Sequence, residues 1–222
     1  MKIYDKSLSN TLKIKFNGYE SVEKNFSQAY QDIFILMALN GKRNGTFVEI
    51  GAMDGQTISN TFLIEQYFNW TGISIDIDDI NESFKKYNRK SNLIIQNALN
   101  IDYKKLFEIN NMPKNIDYLQ LDIEPPENTL KCLKKIPFDN YNFSVITYET
   151  EAYYSNPQIK KESRSILKSY GYELLAGNIC NHGNDPFEDW YVNPKFIDND
   201  IILKLKNLED SNLTPDKILL NE

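Results

Sequence analysis

Acidic side chains stand at the ends of the chain's apolar runs, where they could bind a cation or accept a proton. Four such runs each carry two acids, in the pairs Glu49 and Asp54, Asp76 and Asp78, Asp122 and Glu124, and Glu149 and Glu151. Like charges crowded at one edge repel each other, so a fold gathers them only where a cation or hydrogen-bond donors offset the charge. A single acid of this kind is as easily explained by solvation or helix capping. For the whole set we favour a functional edge.

Two glycines shape the loop after the first run. Residues 46–55 predict a buried strand followed by a turn that begins at Gly51 and ends at Gly55. Glycine lets backbone approach a ligand closely because it has no Cβ atom. This loop lacks the G-x-G-x-x-G spacing that cradles a pyrophosphate, which argues against a nicotinamide-dependent oxidoreductase.

Asp76, at the end of the second run, is suited to binding both hydroxyls of a ribose. A nucleoside without phosphates but with positive charge fits these features, and S-adenosylmethionine is such a molecule.

The elements that must position these residues alternate along the chain. Strands are predicted near residues 46–50, 71–78, 91–98, 115–124, 142–150, 172–176 and 190–192, and helices near 27–40, 59–68, 80–89, 102–110, 127–135, 157–169, 198–208 and 214–220. This order predicts an α/β fold with a mostly parallel sheet and helices on both faces. The last two strands have only a loop between them, which predicts one antiparallel strand near an edge. Residues 1–26 are predicted to be a lead-in segment, and residues 27–222 a single domain.

Bulk composition excludes several classes of function. The net charge is -6 and the sequence has no dense Lys/Arg cluster, so a nucleic-acid substrate is disfavoured. No apolar run approaches the ~20 residues of a membrane span. The N-terminus has no signal-peptide pattern, and Cys132 and Cys180 lie far apart without metal-ligand spacing, so we expect a cytoplasmic protein with reduced thiols.

Six stretches of the sequence form a set of motifs in a specific order, at residues 27–32, 47–55, 69–73, 117–124, 145–149 and 187–192. Together they resemble the FkbM family of S-adenosylmethionine-dependent methyltransferases, and the similarity covers about residues 27–195. The resemblance implies a class I methyltransferase (Rossmann-like) fold, with a seven-stranded sheet whose last strand is antiparallel. It also implies O-methylation, commonly of sugar or polyketide hydroxyls. The family usually has a glycine after its Asp-x-Glu motif, where this chain has Pro125 and Pro126.

The same resemblance implies a role for each cofactor-site position. Glu49 and the loop that contains Gly51, Asp54 and Gly55 would hold the methionine end, and Asp76 the ribose. Asn97 and Ala98 would lie against the adenine, and Asp122 would face the transferred methyl group and the acceptor. Gln31 and Asp32, at the start of the first predicted helix, are either ordinary helix-start polarity or part of a lid over the cofactor.

Methylation of a sugar hydroxyl needs a general base or a metal ion, because the neutral hydroxyl is a poor nucleophile. Candidate bases are Asp122, Glu149 and the single histidine, His182, although a lone loop histidine is more often a bystander. Alternatively, Asp122 and Glu149 with Asp189 could bind Mg²⁺ or Mn²⁺. Tyr153 and Tyr154 could either pack or stack on a sugar ring.

We therefore expect an S-adenosylmethionine-dependent O-methyltransferase whose acceptor is a carbohydrate hydroxyl, in a glycan or its precursor. The alternatives are methylation of another small-molecule or polyketide hydroxyl, and a non-catalytic nucleoside-binding domain within a larger assembly.

Overall fold

The structure is a computed structural model that describes residues 4–181, 185–206 and 212–221. Its strands are β1 (Thr46–Ile50), β2 (Thr71–Asp76), β3 (Asn92–Ile95), β4 (Asn115–Leu121), β5 (Asn142–Glu149), β6 (Glu173–Cys180) and β7 (Pro186–Val192). Its helices are α1 (Gln31–Ala38), α2 (Phe62–Phe68), α3 (Asn81–Lys86), α4 (Tyr103–Ile109), α5 (Pro126–Leu133), α6 (Pro157–Ser169), α7 (Asn199–Leu205) and α8 (Pro215–Leu219). Short 3₁₀ turns cover Lys6–Thr11, Tyr19–Ser21 and Ala98–Asn100.

All seven strands form one sheet in the order β3-β2-β1-β4-β5-β7-β6. The pairs from β3 to β5 are parallel, and β7 runs antiparallel to both β5 and β6. The predicted mostly parallel seven-stranded sheet with one antiparallel strand is confirmed. The chain leaves β1 toward β3 and then returns to β4 on the other side of β1. This switch point opens a crevice at the carboxyl ends of β1 and β4, which is the usual ligand site of open α/β sheets.

Helices cover both faces of the sheet because strand side chains alternate between the faces. Phe47 points into the core formed with α1 and α2, whereas its neighbour Val48 points into the core formed with α4 and α5. β1 and β4 are buried along nearly their whole length, and this burial includes the polar residues Glu49, Asp117 and Gln120. The sheet edge that carries the site is therefore held by two closed cores.

The segment before α1 packs on the same core as α1. Tyr4, Leu12, Phe16 and Val22 are buried in this cluster, and Leu12 forms an isolated backbone bridge with Leu220. Within the residues that the structure describes, every helix is too short or too polar to cross a membrane.

The first helix begins later than predicted. It does not begin near residue 27 but at Gln31, after Tyr30 in a left-handed conformation (φ 62°). The carboxylate of Asp32 explains the difference, because it accepts the backbone N–H groups of Phe26 and Ser27 and the Ser27 hydroxyl, which holds this segment in a turn.

The last two strands are longer than predicted. β6 extends beyond residue 176 through register shifts, including a left-handed Asn178 (φ 56°), which interrupt the alternating pattern. β7 begins at Pro186 rather than near residue 190, because Glu188 and Asp189 are buried strand residues despite their charge.

Candidate functional site

A cavity of about 650 Å³ lies at the carboxyl ends of β1, β2 and β4, beside the switch point. Its volume falls within the ~300–1,000 Å³ range of small-molecule sites. Six of the residues predicted for the cofactor line it, namely Gly51, Asp54, Asp76, Asn97, Ala98 and Asp122. The cavity is also lined by residues that were not predicted to contact the cofactor, including Met53, Ile77, Asp78, Ile80, Gln96, Leu99, Ile123, Glu124 and Asn128.

Gly51 brings the loop after β1 against the end of β4. Its φ is +91°, and a Cβ atom at this position would lie 1.8 Å from the backbone oxygen of Asp122. The backbone N–H of Asp122 in turn donates to the carbonyl of Ile50, at 3.1 Å. Only glycine fits here, so the floor of the cavity depends on this residue.

Asp76 ties the end of β2 to the loop after β1. Its Oδ2 accepts the backbone N–H groups of Ala52 (3.0 Å) and Met53 (2.8 Å), and its Oδ1 accepts the N–H of Asp78 at 3.0 Å. A carboxylate has about four lone-pair sites, so capacity for ligand hydroxyls remains. Asp76 is thus a fixed acceptor in the cavity wall.

Asp54 orders the outer part of the same loop. Its carboxylate accepts the N–H groups of Gln56 and Thr57 and the hydroxyl of Thr57. Partial burial acts to raise the pKa of Asp54, but these hydrogen bonds outweigh it and lower the pKa below the ordinary value. Asp54 therefore stays charged at neutral pH beside the cavity.

The side of the cavity near β3 includes the apolar residues Ile77, Ala98 and Leu99. The side chain of Asn97 caps the 3₁₀ turn by accepting the N–H of Leu99 at 2.9 Å, and Ala98 is buried within that turn. Ile77, directly after β2, is 65% exposed although it is apolar. Apolar side chains that leave a strand end uncovered suit an aromatic base, and the isoleucine between Asp76 and Asp78 was the available sequence signal.

Asp122 and Glu149 form a carboxyl pair at the ends of β4 and β5, with a hydrogen bond between the side chains. Burial raises the pKa of Asp122. Burial, reinforced by Asp122, raises the pKa of Glu149 far above its ordinary value. Two carboxyl groups in contact share one proton at neutral pH because both cannot ionise cheaply. Only Asp122 of the pair lines the cavity.

Glu49, by contrast, does not line the cavity. Its carboxylate accepts the hydroxyls of Thr61 (2.7 Å) and Ser74 (2.8 Å) and lies 3.4 Å from the guanidinium of Arg89. Arg89 also pairs with Glu65, and both of its ion pairs are fully buried. The role expected for Glu49 at the methionine end does not fit this geometry, since the acid is satisfied by a structural arginine. Gly55 likewise packs on Phe84 rather than lining the cavity.

Gln31 and Asp32 also lie away from the cavity, and they act within the fold. Gln31 accepts the N–H of Ala29 and donates to Glu188 at 3.2 Å. Asp32 is fully buried, and burial raises its pKa to about 6 against the hydrogen bonds it accepts. These contacts make both residues part of the turn before α1 rather than a lid.

Asp189 is not available as the third ligand of the expected metal site. Its two oxygens accept the Nε and an Nη of Arg164 at 2.7 and 2.9 Å, and one also accepts the N–H of Asn178. The arginine already supplies a counter-charge to this carboxylate. In the described part of the chain, Asp189 is not grouped with Glu149 among the acids that lie close enough to share one ion. His182 lies outside the described residues.

Solved structures of other proteins are similar to this chain in fold. An rRNA methylase from Streptococcus thermophilus superposes with a TM-score of 0.50 at 14% identity, covering 73% of this chain and 93% of that one. M. capricolum TrmK, solved with its cofactor product S-adenosyl-homocysteine, gives a TM-score of 0.50 at 15% identity, covering 75% and 70% of the two chains. The chain has the class I methyltransferase fold. At these identities the similarity establishes the fold alone. No protein-family model and no curated protein sequence matches the chain.

Proposed function

We propose that this protein is an S-adenosylmethionine-dependent O-methyltransferase whose acceptor is a hydroxyl of a sugar. The observation that carries the proposal is the cavity at the switch point, with Asp76 and an apolar wall at one end and Asp122 at the other. A nucleoside fits the first end, and a sulfonium with its acceptor fits the second. The structural relative that holds S-adenosyl-homocysteine supports the choice of cofactor.

The cofactor would lie along the cavity in a defined direction. Asp76 would accept the ribose hydroxyls, and Ile77, Ala98 and Leu99 would contact the adenine. The positively charged sulfonium would then lie near the acidic end of the cavity, which Asp122 and Glu124 line.

Asp122 would act as the general base. In-line transfer needs the acceptor oxygen aligned with the methyl group, while its proton passes to a nearby base. Asp122 lines the cavity, and the shared proton of the pair resides on Glu149, whose pKa burial raises further. The Asp122 carboxylate would therefore take the hydroxyl proton as the carbon–oxygen bond forms and the carbon–sulfur bond breaks, which leaves S-adenosylhomocysteine as the product. A divalent cation at this edge would be an alternative means of ionising the hydroxyl.

A carbohydrate acceptor is supported by three features rather than by the fold. The sequence motifs resemble the FkbM family, in which sugar hydroxyls are common acceptors. Tyr153 and Tyr154 are 52% and 53% exposed, next to Glu124, and they offer rings on which a sugar can stack. A net charge of -6 and an acidic site edge disfavour a polyanionic RNA, although one structural relative is an rRNA methylase.

Two buried free cysteines accord with a cytoplasmic enzyme.

The test separates binding from chemistry. Asp76→Asn keeps one oxygen for the loop N–H groups but loses a charged acceptor, so S-adenosylhomocysteine affinity should fall by roughly 10- to 100-fold. Asp122→Asn should bind within about threefold of wild type and lose methyl transfer. Asp139→Asn, an exposed acid remote from the cavity lining, is the matched control. Calorimetry gives the affinities.

The acceptor is identified with methyl-labelled cofactor, by comparing nucleotide sugars and glycans with rRNA and tRNA. Unchanged affinity in Asp76→Asn would reject the cofactor orientation. Label appearing only in RNA would reject the carbohydrate acceptor.

A further inference from the structure

Three glutamates at the carboxyl edge lie close enough to share one ion. Glu124 follows β4, Glu149 ends β5, and Glu151 follows β5; one carboxylate oxygen from each lies within 4.8 Å of the others. We call these three residues the glutamate cluster. Two oxygens bound to one calcium ion can be at most about 5 Å apart, given Ca–O distances of ~2.3–2.6 Å. The spacing therefore suits a single cation.

The two inner members of the cluster are buried without positive charge. Glu149 is 7% and Glu151 8% exposed, and among the described residues no lysine or arginine forms an ion pair with either. Burying carboxylates without a counter-charge is costly. In the cofactor-free protein a proton on Glu149 lowers this cost, and a bound cation would take the place of that proton.

A second observation points to a ligand at the same place. Among the described residues, none forms a hydrogen bond with the buried Oε2 atom of Glu151. A buried polar atom without a partner is unusual in a native fold, and an ion is one of its standard explanations.

We propose that the glutamate cluster binds one hard divalent cation of the Mg²⁺, Mn²⁺ or Ca²⁺ type. All three ligands are carboxylates, which such ions prefer. The cofactor sulfonium cannot serve instead, since it carries three carbon substituents and only Glu124 of the cluster lines the cavity. The hydroxyl of Tyr154 donates to Glu124 at 3.0 Å and holds it at the mouth of the site.

The location of the cluster gives the ion a role, and this role rests on the proposed methyl transfer. Glu124 is exposed and borders the cavity near Asp122. An ion held by the cluster would bind the acceptor hydroxyl and lower its pKa. The proton would pass to Asp122 while the oxygen attacks the methyl group and the carbon–sulfur bond breaks, which releases S-adenosylhomocysteine.

The direct test uses Mn²⁺ as the probe, on the full chain without cofactor. Loss of the free Mn²⁺ signal in electron paramagnetic resonance should show one site per chain with a dissociation constant below about 1 mM, retained in excess KCl. Glu151→Gln should weaken binding at least tenfold, and Glu108→Gln, an exposed glutamate on α4, should leave it unchanged. Glu124→Gln is a second variant that cannot disturb the core, because the residue is exposed.

Absence of saturable Mn²⁺ binding, or equal affinity in wild type, Glu151→Gln and Glu124→Gln, would overturn the proposal. If Glu151→Gln does not fold, Glu124→Gln decides alone. S-adenosylhomocysteine affinity measured in parallel separates the two proposals: cofactor binding without Mn²⁺ rejects only the cation site, and Mn²⁺ binding without cofactor rejects only the methyltransferase.

Discussion

Gly51 and Gly171 are a matched pair of glycines for measuring the steric cost of a Cβ atom at the floor of the cavity. Both have left-handed backbone, with φ of +91° and +86°. Their surroundings differ completely. A Cβ atom at Gly51 would lie 1.8 Å from the backbone oxygen of Asp122, whereas at Gly171 it would meet nothing within 4 Å. Alanine at both positions therefore has the same conformational cost, and only alanine at Gly51 has a steric one.

The expected magnitudes follow from these two terms. A left-handed alanine costs roughly 1–2 kcal/mol, and the lower entropy of the unfolded chain returns about 0.4–1 kcal/mol of this. Gly171→Ala should therefore lose about 1 kcal/mol of unfolding free energy. At Gly51 the end of β4 must also move, and overpacking of this kind costs a further ~1–3 kcal/mol. The difference between the variants isolates the clash, because their φ values nearly match.

Urea denaturation of both variants measures these losses, and calorimetry with S-adenosylhomocysteine measures the site. We expect Gly51→Ala to be the less stable variant by at least ~1 kcal/mol and to bind the ligand at least tenfold more weakly. Gly171→Ala should bind like wild type, since it lies at the end of α6 and does not line the cavity. Equal destabilisation of the two variants, or wild-type affinity in Gly51→Ala, would refute the close approach of β1 to β4 from which the cavity is derived.

Two further predictions concern buried charge. Arg89→Met leaves Glu49 and Glu65 without their counter-ion and should lower the unfolding free energy, measured by urea denaturation, by about 3–5 kcal/mol. Lys85→Met breaks an exposed ion pair and should leave the unfolding free energy unchanged. Similar losses in the two variants would contradict the buried network of Arg89. Burial raises the pKa of Glu188 from 4.5 to about 8, so between these values the folded state holds a proton that the unfolded state lacks, and stability falls as pH rises. Glu188→Gln should remove part of this fall, which thermal unfolding across about pH 5 to 8 would detect as a flatter stability profile; an unchanged profile would place the titration elsewhere.

The fold could be predicted because its signals are local. β1 and β4 are stretches rich in strand-forming residues and bounded by turn residues. The errors arose where polar side chains formed tertiary contacts. Asp32 moved the start of α1 by binding the backbone of Phe26 and Ser27. The buried acids of β7 resembled a loop until Gln31 and Arg164 supplied their partners.

The cavity residues were predictable to the extent that strand ends define a parallel sheet's ligand edge. Asp76 and Asp122 could be placed from the strand pattern alone. Glu49 could not, because the sequence does not reveal that Arg89, forty positions later, reaches its carboxylate. Ile77 was missed because the sequence does not reveal that this isoleucine is exposed beside a cavity.

The acids of the carboxyl edge differ in what neutralises them, and this decides which are available for chemistry. Arginines hold Glu49 and Asp189, and backbone N–H groups hold Asp54 and Asp76. The charge of an acid bound to an arginine is already neutralised, whereas an acid bound to N–H groups keeps its charge and can still accept hydrogen bonds from ligand hydroxyls. The glutamate cluster has neither kind of partner among the described residues. A proton, a metal ion or a bound substrate must neutralise it. Because only the metal ion would do so in the cofactor-free protein with a strict one-to-one stoichiometry, Mn²⁺ titration of the free chain distinguishes the three.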